Sequence, residues 1–239
     1  EGNAAKFTYD SLNRLIQITY PDNSKATYAY DPVGNLISFS DQNSNTTFYI
    51  YDAVGRLIQI TEAQGNITKY TYDTEGNRAS ITDAAGNTTQ YFYNSLNRLI
   101  KTQDALNSQT LFFYDPTGNL ILKTDANGNT INYTYDVLNR LLKKQYPNQT
   151  EETFTYDAKG ALLTAANPNI SYNYTYDPLS QLISADGSNN RSITYAYDAV
   201  GNRIKMTTPE GKAVSYSYDS LNRLSSIMDI YNKATTYNY

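Results

Sequence analysis

The groups best placed for chemistry in this chain are carboxylates that recur beside a phenol. A Tyr-Asp pair stands at Tyr9-Asp10, Tyr30-Asp31, Tyr51-Asp52, Tyr72-Asp73, Tyr114-Asp115, Tyr135-Asp136 and Tyr156-Asp157. It returns at Tyr176-Asp177, Tyr197-Asp198 and Tyr218-Asp219, while Tyr93 carries Asn94 in place of Asp. A carboxylate of this kind could act as a general acid or base, or ligate a hard cation. Ten copies at one position of one motif point instead to turn formation, with Asp accepting hydrogen bonds from the turn's own amides. Asp125-Ala126-Asn127-Gly128-Asn129 has a faint likeness to a calcium loop, but it lacks the further acidic ligands and the closing Glu. A glycosidase needs two carboxylates across a sugar cleft, one of them with a raised pKa. The adjacent pair Glu151-Glu152 is expected instead at a solvated strand start. Cys and His are absent, which removes disulfides, thiol nucleophiles, Ser-His-Asp arrangements and almost every zinc site. The chain therefore reads as a non-enzyme with no catalytic residue, no cofactor and no metal.

Composition narrows the partners. Nineteen basic residues against 23 acidic ones give a net charge of −4, and the mean hydropathy is −0.60. That balance disfavours nucleic acid and anionic membrane surfaces, and no apolar run is long enough to span a bilayer. Glu1-Gly2-Asn3 shows neither the basic start nor the apolar stretch of a signal peptide. Because the first residue is not Met, the chain is expected to be a piece of a larger protein. Absence of Cys is compatible with a bacterial extracellular origin.

The elements that position the Asp residues follow from an internal repeat. The Tyr of the pair recurs every 21 residues from Tyr9 to Tyr156, then after 20 at Tyr176, then every 21 through Tyr197, Tyr218 and Tyr239. Another aromatic precedes each by two residues, from Phe7 and Tyr28 to Phe154 and Tyr237, which explains why Tyr occurs 25 times. No linker or composition shift interrupts the series, so residues 1–239 read as one array of about eleven and a half repeats.

Each repeat reads as two strands and two turns. Thr68-Lys69-Tyr70-Thr71-Tyr72 alternates aromatic and small polar residues, the period of a half-buried strand. The return strand, Leu57-Ile58-Gln59-Ile60 in one repeat, is β-branched and aliphatic, and no 3.6-residue period appears. Strands are predicted at about residues 68–72 and 78–82 in the fourth repeat. The first turn is Asp-x-x-Gly/Asn-Asn/Arg, with Gly34, Gly55, Gly76, Gly118, Gly160 and Gly201 or Asn13, Asn97, Asn139 and Asn222 at its fourth position. These types tolerate positive φ and fit a type I turn closed by a left-handed residue; Ser180 departs from the pattern. The second turn, as in Asp83-Ala84-Ala85-Gly86-Asn87, reads as looser. The short step to Tyr176 is expected to come out of a second turn near Ala166-Asn167-Pro168-Asn169. A deletion inside a strand would flip every later side chain.

Roughly 23 strands at about 4.8 Å each would run about 110 Å if flat, exposing a Tyr face and open edges. Strand twist favours coiling instead. The expected fold is all-β, with tandem 21-residue hairpins forming a long antiparallel sheet that coils into a spiral or shell. Tyr hydroxyls need partners or water, so a Tyr-rich lining suits a wall beside a wet lumen. The Arg at the fifth turn position (Arg14, Arg56, Arg98, Arg140, Arg223) is expected to form a solvated rim, diluted by Asn35, Asn77, Asn119 and Asn202.

The recurring Tyr30-Asp31-Pro32-Val33-Gly34-Asn35-Leu36 and Tyr51-Asp52-Ala53-Val54-Gly55-Arg56-Leu57 resemble the YD repeat of Rhs-type proteins. The resemblance runs from end to end. That family includes bacterial polymorphic and insecticidal toxins, wall-associated proteins and teneurin ectodomains. The resemblance implies a β-strip that spirals into a hollow shell, which in the toxins encloses a variable C-terminal effector. Toxin shells of the family end in a core segment that releases the effector by aspartyl autoproteolysis. Nothing in this sequence resembles that core or an effector, so self-cleavage and toxicity do not carry over. What the resemblance implies is a structural scaffold whose partner is an enclosed or adjoining polypeptide, in a secreted or surface protein, bacterial in origin. The alternative reading is a carbohydrate-binding or adhesion module that stacks exposed Tyr rings on glycans. Exposure of the Tyr face separates the two.

Overall fold

A computed structural model of the chain describes residues 4–239. Twenty-three strands and no helix occur among them, from β1 (Lys6–Tyr9) to β23 (Ala234–Thr236), so the all-β, tandem-hairpin reading holds. The fourth repeat is β7 (Ile67–Tyr72) and β8 (Arg78–Thr82), within one residue of the sequence expectation. No helix among the described residues is long and apolar enough to cross a membrane.

The chain divides into two compact units: Glu1–Phe112 with Asp125–Asn127, and Phe113–Thr124 with Gly128–Tyr239. Strand order follows chain order within each, and successive strands pair antiparallel. Paired residues share a face of the sheet. In the first unit Tyr28 lies opposite Phe39, Tyr49 opposite Ile60 and Tyr70 opposite Ile81. In the second, Tyr195 lies opposite Met206 and Tyr216 opposite Ile227. The aromatic row thus abuts a mostly apolar row on one face, interrupted by Thr102 and Lys144. The other face is mostly polar, with hydroxyl pairs such as Thr71 to Ser80 at 2.7 Å.

Each return strand contains one extra residue. Tyr72 pairs with Arg78 and Thr71 with Ser80, which leaves Ala79 as a β-bulge, and the same shift recurs in the other repeats. The bulge explains the Leu-Ile-x-Ile spelling. After the extra residue, the fourth position returns to the Tyr face.

No dry core forms. Ala26, 2% exposed, is the only hydrophobic residue buried outright among the described residues, and no large side chain is fully buried. Stability must come from half-buried aromatic and aliphatic contacts, backbone ladders and whatever ties one repeat to the next.

The short step falls at the second turn. Asn167 N–H donates to Ile170 O (2.9 Å), closing a connection one residue shorter than its equivalents. β15 (Glu151–Tyr156) leads into β16 (Leu162–Ala166) and then β17 (Ser171–Tyr176), with Phe154 opposite Ala165 and Ala165 opposite Tyr172. Tyr172, Tyr174 and Tyr176 therefore keep the face of Phe154. The second turns are not looser than the first. Tyr20 N–H donates to Ser24 O (2.9 Å) and Asn23 N–H to Tyr20 O (2.9 Å), the bond pattern of the first turns. The fourth residue again has positive φ, even at Ser44 (63°) and Gln149 (66°).

One Gly inserted after Pro168 should change stability by less than about 1 kcal/mol, because it lengthens a loop and leaves strand faces alone. One residue inserted after Asn173 should cost several times more by inverting the remainder of β17. Urea denaturation separates the two, and a turn insertion as damaging as the strand insertion would contradict this register.

Candidate functional site: the Tyr-Asp turn edge

The Asp of each pair sits at the start of a turn whose amides converge on its side chain. At Asp31, Val33 and Asn35 N–H donate to Oδ1 (3.1 and 2.8 Å) and Asn35 Nδ2 donates to Oδ2 (2.9 Å). The backbone closes the same loop, with Gly34 N–H on Asp31 O (3.1 Å) and Asp31 N–H on Asn35 O (2.9 Å). Asn94 makes the equivalent bonds without a charge, from Leu96 and Arg98 N–H (3.0 Å each). The position thus needs an acceptor rather than an acid. Positive φ occurs at Asn13, Gly34, Gly55, Gly76, Asn97, Gly118, Asn139, Gly160, Gly201 and Asn222, and also at Ser180 (65°). Ser180 shows that the ladder imposes the left-handed conformation on a residue that disfavours it.

The Tyr of each pair ends its strand and reaches back one repeat. Tyr30 Oη donates to Leu15 O (2.9 Å), Tyr51 to Leu36 O (3.0 Å) and Tyr72 to Leu57 O (2.8 Å). In the second unit Tyr135 reaches Leu120 O (3.0 Å), Tyr156 Leu141 O (2.9 Å), Tyr176 Leu162 O (2.9 Å) and Tyr197 Leu182 O (2.9 Å). Tyr93 and Tyr218 do the same to Arg78 O and Arg203 O, at 3.1 Å. The acceptor is the first residue of a return strand, beside the bulge. The phenols of this row therefore find a backbone partner without water.

The fifth turn residue is a second brace, and the expectation of a solvated rim is corrected here. Arg14, Arg56, Arg140 and Arg223 donate Nε to the Asp of their own turn at 2.6–2.7 Å. Each guanidinium then lies over the next Tyr ring, at 4.8 Å for Tyr30, 4.5 Å for Tyr72, 4.9 Å for Tyr156 and 4.6 Å for Tyr239. Arg14 and Arg140 also donate Nη1 to Asp31 O and Asp157 O (3.2 and 2.8 Å). At three of the four positions where Asn replaces Arg, its amide reaches forward to the next turn: Asn77 to Asn97 Oδ1 (3.0 Å), Asn119 to Asn139 (2.8 Å), Asn202 to Asn222 (3.1 Å); Asn35 donates to Asp31 of its own turn (2.9 Å). A signal in the sequence matches these two kinds of brace, and reading the fifth position as a rim overlooks it. Arg14, Asn35, Arg56, Asn77, Arg98, Asn119 and Arg140 alternate strictly, a 42-residue period.

The acidic pair opens β15, as expected, and is partly exposed there, but both carboxylates are paired. Lys143 Nζ lies 3.0 Å from Glu151, Lys144 Nζ 3.0 Å from Glu152, and Tyr146 Oη donates to Glu152 (2.8 Å). Those bonds, first Tyr146 and then Lys144, hold the Glu152 carboxyl below its ordinary range, the opposite of a glycosidase acid. Among the described residues no group of three acidic, Cys or His side chains could hold a metal ion. In the Asp125 turn, Asn127 N–H donates to Asp125 Oδ1 (2.9 Å).

Residues 84–239 match the teneurin YD-shell family, and residues 9–47, 30–67 and 51–88 match the RHS repeat. The chain belongs to the teneurin YD-shell family. A comparison with curated protein sequences finds no match. Among solved structures, the YD-shell chain resembles TcdB2-TccC3 at 21% identity and a TM-score of 0.57 over 95% of its length. It resembles TcdB2-TccC3 without its hypervariable C-terminal region at 20% and 0.58, and the Photorhabdus luminescens Tc holotoxin pore at 22% and 0.57, again over 95%. The chain spans only 15 or 16% of the length of those chains. At such identity the likeness carries the fold.

Two outcomes test the braces. Tyr135→Phe should lose about 0.5–1.5 kcal/mol, toward the lower end because Leu120 O can recruit water; unchanged urea midpoints would show that the Oη bond contributes nothing. The second concerns acid. Burial pushes the Asp115 carboxyl up, but bonds from Asn119 and Thr117 outweigh it and hold the pKa at about 2, against an ordinary 3.8. A depressed folded pKa means stability that is full above 3.8 and lost as pH falls through about 2. Urea midpoints should fall across that window, and less steeply in Asp115→Asn, which keeps the acceptor without the charge. Identical pH profiles would remove Asp115 from the account.

Proposed function

We propose that residues 1–239 form a structural segment of a YD/Rhs shell that encloses or presents an adjoining polypeptide of the same protein. The observation that carries this reading is the repeat-to-repeat brace. Tyr30, Tyr51, Tyr72 and their equivalents bond to the preceding repeat's backbone, and the Asp beside each is engaged by its own turn, which builds a wall. Membership in the YD-shell family and a fold shared with Tc toxin chains support it. TcdB2-TccC3 carries a hypervariable C-terminal region, the kind of adjoining segment a shell would serve. On this reading Tyr9, Tyr30, Asp31, Gly34 and their equivalents are structural residues, the array is one continuous wall that coils, and the parent protein is secreted or surface-bound and bacterial.

Carbohydrate adhesion fits the same surface less well. Stacking on sugar needs free ring faces, whereas guanidinium groups cover Tyr30, Tyr72 and Tyr156 and the phenol hydroxyls are engaged with carbonyls.

Protease protection tests the proposal. In the whole polypeptide that carries this array, adjoining segments should resist a protease that digests them rapidly once the wall is opened by Tyr51→Ala and Tyr72→Ala together. Equal digestion before and after opening would sink the shell reading. Specific retention of 1–239 on a glycan array would favour adhesion instead.

A further inference from the structure

Eight of the ten Asp residues that open first turns receive a bond on Oδ2 from the fifth residue of their own turn, at 2.6–3.0 Å. Asp157 and Asp177 do not. In the Asp177 turn, Gln181 sends Nε2 toward Gly201 O instead (3.4 Å). In the Asp157 turn the fifth residue is Ala161, which has no group to send. Asp157 Oδ1 still accepts from the amides of Lys159 and Ala161 (2.9 and 2.8 Å), while its Oδ2 has no partner among the described residues. The nearby cations are engaged elsewhere. Arg140 lies over Tyr156 and donates Nη1 to Asp157 O (2.8 Å), and Lys159 Nζ turns to Pro178 O (3.4 Å). Neither pairs with the Asp157 carboxylate.

The frame around that free oxygen is unaltered. Asp157 N–H donates to Ala161 O (2.9 Å), Gly160 N–H to Asp157 O (3.1 Å) and Tyr176 Oη to Leu162 O (2.9 Å), as in the neighbouring repeats. The preceding repeat shows what such a frame holds. Arg140 Nε lies 2.6 Å from Asp136 Oδ2, and its guanidinium carbon lies 4.9 Å from the centre of the Tyr156 ring. Asp157 and Tyr176, both half-buried, occupy the equivalent positions of the same frame with no guanidinium between them. A second departure meets the first. Asn77, Asn119 and Asn202 bond the fourth residue of the following turn, whereas the corresponding pair here is Ala161 and Ser180. Where two linked positions abandon a rule that the rest of a chain obeys, a functional site is the expected reason.

We propose that the gap beside Ala161 is a socket for an arginine side chain of another polypeptide, whose guanidinium donates to Asp157 Oδ2 and lies on the Tyr176 ring. Arginine suits it better than lysine. A planar fork can stack on a ring while donating edge-on to a carboxylate, and it leaves water more readily than an ammonium does. A Cβ built on Gly76 would stand 3.7 Å from Arg56 Nη1, so the fourth residue of the next turn borders a guanidinium held this way. At this socket that residue is Ser180, whose hydroxyl can accept a further N–H of the fork. All the groups concerned lie in the second unit, and binding here requires no closure of the wall.

Acetyl-arginine amide, added to the chain and followed by amide NMR, should shift the Lys159, Ala161 and Ser180 signals saturably, with a Kd on the order of 1–10 mM. Acetyl-lysine amide should bind at least about fivefold more weakly. In the Asp136 turn, already filled by Arg140, the Leu138 and Arg140 signals should stay in place. Asp157→Asn keeps a turn acceptor, as Asn94 does, and should weaken binding at least about tenfold. Ala161→Arg fills the socket from within the chain and should abolish binding. No saturable shift at the Asp157 turn, an equal response to acetyl-lysine amide, equal shifts at the Asp136 turn, or undiminished binding in Asp157→Asn would each overturn the proposal. Circular dichroism like that of the parent chain verifies that the variants fold, and Asp157→Asn decides the matter should Ala161→Arg fail to do so.

Discussion

The bond from a Tyr hydroxyl to the carbonyl one repeat earlier is the interaction on which the other contacts of this structure rest. A sheet one layer thick offers no interior, and among the described residues only Ala26 is buried as a hydrophobic core residue. Each hairpin must therefore be held by its neighbours rather than by a common core, the arithmetic of repeat proteins. Tyr is suited to that task because one side chain supplies apolar area along its ring and a directed donor at its tip. Aliphatic residues could supply the area but not the bond to Leu15 O or Leu57 O that fixes one repeat on the last.

The second brace solves a problem that the first creates. A Tyr laid across a half-open sheet shows one ring face to solvent, and the fifth turn residue covers it where that residue is Arg. Asp10, Asp52, Asp136 and Asp219 hold those guanidinium groups by Nε, leaving the planar group to lie on Tyr30, Tyr72, Tyr156 and Tyr239. One Asp thereby serves the backbone turn through Oδ1 and the inter-repeat contact through Oδ2. That double use accounts for its recurrence better than any catalytic role, and Asn94 shows that the turn half survives loss of the charge.

Most of what was legible in the residue order was local. A 21-residue period, Asp-x-x-Gly/Asn and alternating aromatics specify strands, turns and their positive-φ residues, because turn chemistry and strand alternation act within a few residues. The short step to Tyr176 was legible for the same reason, since only a turn can lose a residue without inverting faces. Contacts across repeats were settled in three dimensions: where Oη of Tyr30 finds its acceptor, that Arg14 lies on Tyr30 rather than in solvent, and that Glu152 is held by Lys144 and Tyr146. Those partners are distant along the chain and stand on strands whose register depends on a bulge invisible in composition. A side chain's identity states which bond it can make; the register states which atom stands within reach.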